Sequence, residues 1–269
     1  MDHSVLLVTV DCLRPDHLQA YGYYRETAPN IDAIADDGTL FENAFSNGPG
    51  TRFAFKSINA GVFPLRISGA GLPQTADQTV AEALSSAGYR TAGFANNPFL
   101  TTRFNHHRGF DTFLEVSDWE NGQDPGAISK VNSIAGRIHQ QLSGGIIHKS
   151  LRRVYERLLT VAESRGASVG INDKIVVDKA TDWIRKREDD SEPYYAWVHL
   201  MDVHGPHQYL SSERKELGIK TDHIRDPTGY VTESEKPPQA VIDTYDASLR
   251  HADKQIGRLL ETVSPDTTI

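Results

Sequence analysis

Ser4-Val-Leu-Leu-Val-Thr-Val10 runs directly into Asp11-Cys-Leu-Arg-Pro-Asp-His17. The first segment is a continuous apolar, β-branched run, the pattern of a strand buried on both faces of a parallel sheet. The second turns abruptly to charge and proline. Chains of alternating strands and helices place their chemistry at the carboxyl ends of such strands. Asp11 is therefore a candidate ligand for a divalent metal. A carboxylate at the edge of a low-dielectric core needs a cation or several donors to offset its desolvation. The plainer alternative is a cap on the following turn.

Working outward, the same order recurs. Residues 28–37 predict a short helix with Pro29 in its first turn and Gly38 after it. Residues 38–44 predict a strand. Asn47-Gly-Pro-Gly50 is a turn that delivers the chain to Thr51, where a helix over 51–60 can begin. Residues 79–87 predict a helix ended by Gly88, and 89–94 a second buried strand. That succession is half of a β-α-β unit. Residues 119–170 are less regular, with helical spacing and local positive charge at 149–157, and read as a helical insertion. Residues 174–187 predict a helix and 193–201 a third buried strand, followed by Asp202-Val-His-Gly-Pro-His207. Residues 211–238 read as a polar loop, 241–263 as a long amphipathic helix, and 267–269 as the start of another strand. The fold class is thus α/β, a single domain over residues 1–269 with a mostly parallel sheet sandwiched by helices.

Composition narrows the function. The chain has 269 residues and a formal charge of −8, which argues against nucleic-acid binding through a broad basic surface. A single cysteine, Cys12, excludes a disulfide framework and a cysteine zinc cage. There is no apolar run long enough for a membrane span and no leader pattern, so a cytoplasmic location is the expectation.

The residues able to carry chemistry gather after predicted strands or the Gly-Pro turn. A threonine after Gly-Pro-Gly, near a metal, can be activated as a nucleophile; Thr51 can equally be a helix cap. Arg52 and Lys56 can neutralise an anion or face solvent. His204 and His207 can bind metal or polarise an oxyanion. Cys12 reads as a buried, inert thiol.

Taken in order, these segments resemble the sulfatase family of the alkaline-phosphatase superfamily. Val8-Thr-Val-Asp-Cys-Leu-Arg-Pro-Asp-His17 is similar to the family's first metal-ligand segment, and Thr27-Ala-Pro-Asn-Ile-Asp32 to the stretch that follows it. Phe41-Glu-Asn-Ala-Phe45, Gly88-Tyr-Arg-Thr-Ala92 and Arg108-Gly-Phe-Asp-Thr-Phe113 match further landmarks. Met201-Asp-Val-His-Gly-Pro206 resembles the histidine-bearing segment, and Tyr245–Asp253 the family's long helix. The resemblance implies an alkaline-phosphatase-like fold and a hydrolase or transferase acting on sulfate or phosphate esters. It also implies a divalent metal cofactor (Ca, Mn or Mg), with Asp11 and Thr51 as metal ligands, Thr51 as nucleophile and His204 on the ester oxygens. Arg52, Lys56, Asn96 and His207 become substrate-binding candidates.

The chain departs from the family at several positions. Family members usually carry Cys or Ser as nucleophile, converted to formylglycine, with an arginine four residues on. Here those places hold Thr51 and Phe55, and threonine cannot give formylglycine. Cys12 replaces the second Asp of the first ligand pair, and Ala95-Asn-Asn-Pro98 stands where the family has Gly-Lys-x-His. The pattern looks more like a threonine-nucleophile branch acting on phosphodiesters or phosphoglycerol head groups. The family's later Asp-His pair would follow Ile269, so the expectation is a metal site lacking part of its shell. The competing expectation is an inactive, anion-binding relative on the same fold.

Overall fold

The computed structural model describes residues 3–66, 68, 69, 71–73, 78–115, 173–187, 192–226 and 237–269. The expected insertion over 119–170 lies outside the described residues. Strand β1 (Val5–Val10) is followed by α1 (Pro29–Asp37), α2 (Thr51–Ala60) and α3 (Val80–Ser86). Then come β2 (Arg90–Ala95), β3 (Thr112–Leu114), α4 (Asp173–Arg185) and β4 (Tyr194–Leu200). Helices α5 (Ser211–Glu216) and α6 (Gln239–Leu260) close the order. The described strands form one sheet in the order β1-β4-β2-β3, every pair parallel.

Side-chain alternation builds a core on each sheet face. Leu6 of β1 and Ala196, Val198 and Leu200 of β4 pack with Val176, Val177, Ile184, Ile256 and Leu259 of α4 and α6. Tyr195 and Trp197, pointing the other way, meet Phe55 of α2, Ala81 of α3 and Leu100. All seven residues of β4 are buried, as a central parallel strand requires. Each large apolar side chain buried there contributes about 1.5–3 kcal/mol.

Local contacts explain the motifs. The N-terminus of α1 is held from a distance: Asp253 on α6 accepts hydrogen bonds from the backbone N–H of Asn30 and Ile31, each at 3.0 Å, and from Asn30 Nδ2 at 2.7 Å. Gly257, one turn on, leaves room for Asn30; a Cβ there would lie 2.8 Å from its Oδ1. Helix α3 starts with a reciprocal cap between Thr79 and Glu82. Arg108 pairs with Glu82 at 2.9 Å. Gly109, at φ +83°, then passes so close to α3 that a Cβ would sit 2.2 Å from Glu82 N.

Four expectations are corrected. Residues 38–44 form turns rather than a strand, and Leu40, Phe41 and Phe45 are exposed, so no sheet neighbour covers them. Ser211–Glu216 is helical where a loop was expected, because Glu213 anchors it to His251 and Lys254 of α6. Strand β1 is half-covered rather than buried on both faces, since its outer side meets only Thr268 among the described residues. There Leu6 N donates to Thr268 O and Thr268 N to Ser4 O, both at 2.8 Å, as the strand expected at 267–269 would begin. Finally, Cys12 is exposed; a left-handed backbone (φ 57°) turns it out of the sheet. Among the described residues no helix is long and apolar enough to cross a membrane.

Candidate functional site

The carboxyl ends of β1, β4 and β2 and the start of α2 meet at one crevice. Asp11 directly follows β1, and its backbone N–H continues the ladder by donating to Leu200 O at 2.9 Å. The turn beyond is pinned by α6: Tyr245 donates its hydroxyl proton to Cys12 O and accepts from Arg14 N, both at 2.8 Å. Asp11 is thereby fixed at its backbone before its side chain makes any contact.

The Asp11 carboxylate collects donors. Thr51 Oγ1 donates to Oδ2 at 3.0 Å, Asn97 Nδ2 donates to the same oxygen at 3.1 Å, and Cys12 Sγ donates to Oδ1 at 3.3 Å. His199 Nε2 lies 3.7 Å from Oδ2. Burial works against the charged carboxyl, but the His199 imidazole and the Cys12 and Thr51 donors outweigh it and hold Asp11 well below the usual carboxylate range. It is an anion at neutral pH.

Thr51 is the first residue of α2, and Gly50 holds the cap position without a side-chain cap bond. Its hydroxyl is therefore committed to Asp11 and not to capping its own helix. The helix N-terminus beside it favours an anion.

His204 stands on the β4–α5 loop. Its Nδ1 lies 2.5 Å from Gly205 O, which can only accept, so Nδ1 donates and Nε2 is the nitrogen left to face a ligand. Asp11, Cys12 and His204 each offer a donor atom within 4.8 Å of the others. An ionised carboxylate, an imidazole and the adjacent Thr51 hydroxyl fit a divalent cation. Although Cys12 is exposed as a residue, partial desolvation of its thiol and the Asp11 carboxylate push it up to about 12, so it remains a neutral thiol unless a cation displaces its proton.

Of the residues picked from the sequence, the structure brings Asp11, Thr51 and His204 together. Arg52 flanks them, exposed, with its guanidinium 5.2 Å from the Phe99 ring centre. Lys56 and His207 do not join the group. Lys56 is buried and its Nζ donates to Gly69 O at 2.8 Å. His207 is buried with Nδ1 3.0 Å from Ser248 Oγ on α6, and burial lowers its imidazole to about 4. Asn97, the neighbour of Asn96, is the residue that reaches Asp11. Its Oδ1 accepts from Phe99 N at 2.9 Å, which orients the amide. Phe55, in the family's arginine place, is buried against the rings of Trp197 and His199.

Asn97, His199 and Tyr245 were missed. Tyr245 read as one more apolar position of an amphipathic helix. His199 sits inside an apolar strand, and the one signal for it was a polar residue, Thr9, at the matching place in β1, its register partner.

The sequence matches the Sulfatase family over residues 3–269, and the chain belongs to that family. No curated protein matches it in sequence. Solved structures share the fold. The putative sulfatase yidJ from Bacteroides fragilis has a TM-score of 0.63 at 16% identity, over 98% of this chain and 59% of that one. The phosphonate monoester hydrolase of Agrobacterium radiobacter has a TM-score of 0.60 at 18% identity, over 97% and 59%. The C-terminal periplasmic domain of EcEptC from Escherichia coli, in complex with Zn, has a TM-score of 0.56 at 17% identity, over 97% and 59%. The chain thus spans just over half the length of these structures, and the likeness to them is one of fold.

Proposed function

We propose that this chain carries the nucleophile and the first metal ligand of a sulfatase-family enzyme acting on phosphate or sulfate esters, with Thr51 as the attacking group. The observation that carries this is the 3.0 Å hydrogen bond from Thr51 Oγ1 to an ionised Asp11 at the carboxyl ends of parallel strands. Thr51 Oγ gives up its proton and forms the new bond to phosphorus or sulfur, the bond to the ester oxygen breaks, the departing alkoxide takes up the proton released, and water or an acceptor alcohol then cleaves the Thr51 ester to restore the hydroxyl. Asp11 orients the hydroxyl and accepts its hydrogen bond. Asn97 holds Asp11 from the other side, and His204 and Arg52 face the ester oxygens.

Asp11, Thr51 and His204 would hold the divalent ion, with Cys12 at its edge. When bound, the ion supplies charge neutralisation for the ester's non-bridging oxygens. A zinc complex among the structural neighbours supports the same class of cofactor. A threonine nucleophile favours phosphodiesters over the sulfate esters that formylglycine serves. The test is turnover of bis(p-nitrophenyl) phosphate, p-nitrophenyl phosphate and p-nitrophenyl sulfate with Mn²⁺, Zn²⁺, Mg²⁺ or Ca²⁺, using Thr51→Ala as control. Metal-dependent diester turnover lost in Thr51→Ala supports the assignment; turnover retained in that variant removes Thr51 from it.

A second reading, an anion-binding relative without turnover, is favoured by Phe55 in the arginine place and by the internal commitment of Lys56 to Gly69. Binding of inorganic phosphate without turnover of any ester in the same panel would select it.

A further inference from the structure

His199 is fully buried on β4 and takes no part in the chemistry above. Its Nδ1 lies 2.9 Å from Thr9 Oγ1, and Trp197 Nε1 lies 3.0 Å from the same hydroxyl. An indole N–H can only donate. The Thr9 oxygen therefore accepts from Trp197, and its single proton is available for His199 Nδ1. With Nδ1 accepting, the ring proton of the neutral imidazole is on Nε2. That nitrogen has no hydrogen-bond partner among the described residues, and it faces Asp11 Oδ2 from 3.7 Å. The opposite tautomer would aim a lone pair at a carboxylate in a water-excluded place, which is repulsive. Phe55 closes the ring over, edge-on at 5.0 Å between centres, so no solvent enters to choose the tautomer.

We propose that Trp197, Thr9 and His199 form a positioning relay that fixes the orientation of the Asp11 carboxylate through a proton on His199 Nε2. Thr9 and His199 are register partners on adjacent strands, so the relay is built into the sheet and does not depend on loops. It holds Oδ2 on the Thr51–Asn97 side and leaves Oδ1 toward Cys12. The inference deepens the reading of Asp11 as a metal ligand and rests on it. Removing a group that orients a metal ligand from behind typically changes metal affinity 10–100-fold.

The experiment has two readouts on the full 269-residue chain. Long-range ¹H–¹⁵N NMR of the histidine rings reports which nitrogen of His199 carries the proton, with or without metal. The expected spectrum shows a protonated Nε2 and a bare Nδ1, and Thr9→Val, which leaves only the Asp11 carboxylate to favour that tautomer, weakens the preference. Calorimetric titration with Mn²⁺ alone then compares variants: His199→Leu is expected to weaken binding about 10–100-fold. His199→Gln, whose side-chain amide can still donate, is expected to stay within about fivefold of the parent. A proton on Nδ1, or a His199→Leu variant that binds Mn²⁺ as tightly as the parent, overturns the proposal. A parent chain that binds no Mn²⁺ defeats the ligand reading of Asp11 instead, and the tautomer with its response to Thr9→Val decides the relay by itself.

Discussion

Thr51 Oγ1 reaches Asp11 Oδ2 at 3.0 Å across forty residues of sequence, one at the start of a helix and the other at the end of a strand. Neither position is adjustable. The Asp11 backbone is tied into the β1–β4 ladder, and Thr51 is fixed by the first turn of α2, where Phe53 N and Ala54 N both donate to Gly50 O. A nucleophile held this way has little orientational freedom left to lose on reaction.

Thr51→Ala should remove ester turnover by about a thousandfold or more while leaving the fold intact. Among the described residues the hydroxyl makes one hydrogen bond, to the Asp11 carboxylate, worth about 1.5–3 kcal/mol. Steady-state kinetics beside a thermal melt check both halves. A variant that loses turnover only because it melts far below the parent would fail the prediction.

Asp11→Asn keeps the side-chain shape but removes the anion. It should abolish the thermal shift that Mn²⁺ gives the parent chain, as read by differential scanning fluorimetry. An unchanged shift would place the ion elsewhere.

Stability should depend on pH through Glu213. Burial opposes its charge, but His251 and Lys254 hold it ionised and lower it to about 2 from an ordinary value near 4.5. A carboxyl depressed by folding contributes fully above its unfolded value, and that contribution is lost as pH falls through its folded value. Denaturant melts should therefore show stability falling between about pH 4.5 and about pH 2. Glu213→Gln should cost roughly 2–3 kcal/mol at pH 6 and far less near pH 2. An equal cost at both pH values would contradict this.

Gly109→Ala should destabilise by about 3 kcal/mol or more. Its backbone is left-handed at φ +83°, and the added Cβ would meet Glu82 N and Ala81 C at 2.2 and 2.6 Å. These are backbone atoms of a capped helix and cannot swing aside. Chemical denaturation measures the loss; Gly50→Ala, with nothing within 4 Å of its Cβ, is the contrasting control.

Much of this was legible before any coordinates. The apolar runs at β1, β2 and β4 dictated parallel strands, and the abrupt polar residues after them marked the crevice where Asp11 and His204 stand. Where the reading failed, contacts distant in sequence decided the outcome. The packing of Lys56 and His207 depends on Gly69 and on Ser248 of α6, partners that no local pattern exposes. His199 was hidden because its partner Thr9 lies 190 residues away, and strand register brings them together.

The most direct measurement is the mass of the Thr51 peptide after the chain has been incubated with Mn²⁺ and bis(p-nitrophenyl) phosphate and quenched in acid. The expected result is a phosphoryl-type adduct on Thr51 that is absent from Asp11→Asn and from reactions without metal. Diester turnover with Thr51 unmodified, or an adduct on another residue, would contradict it.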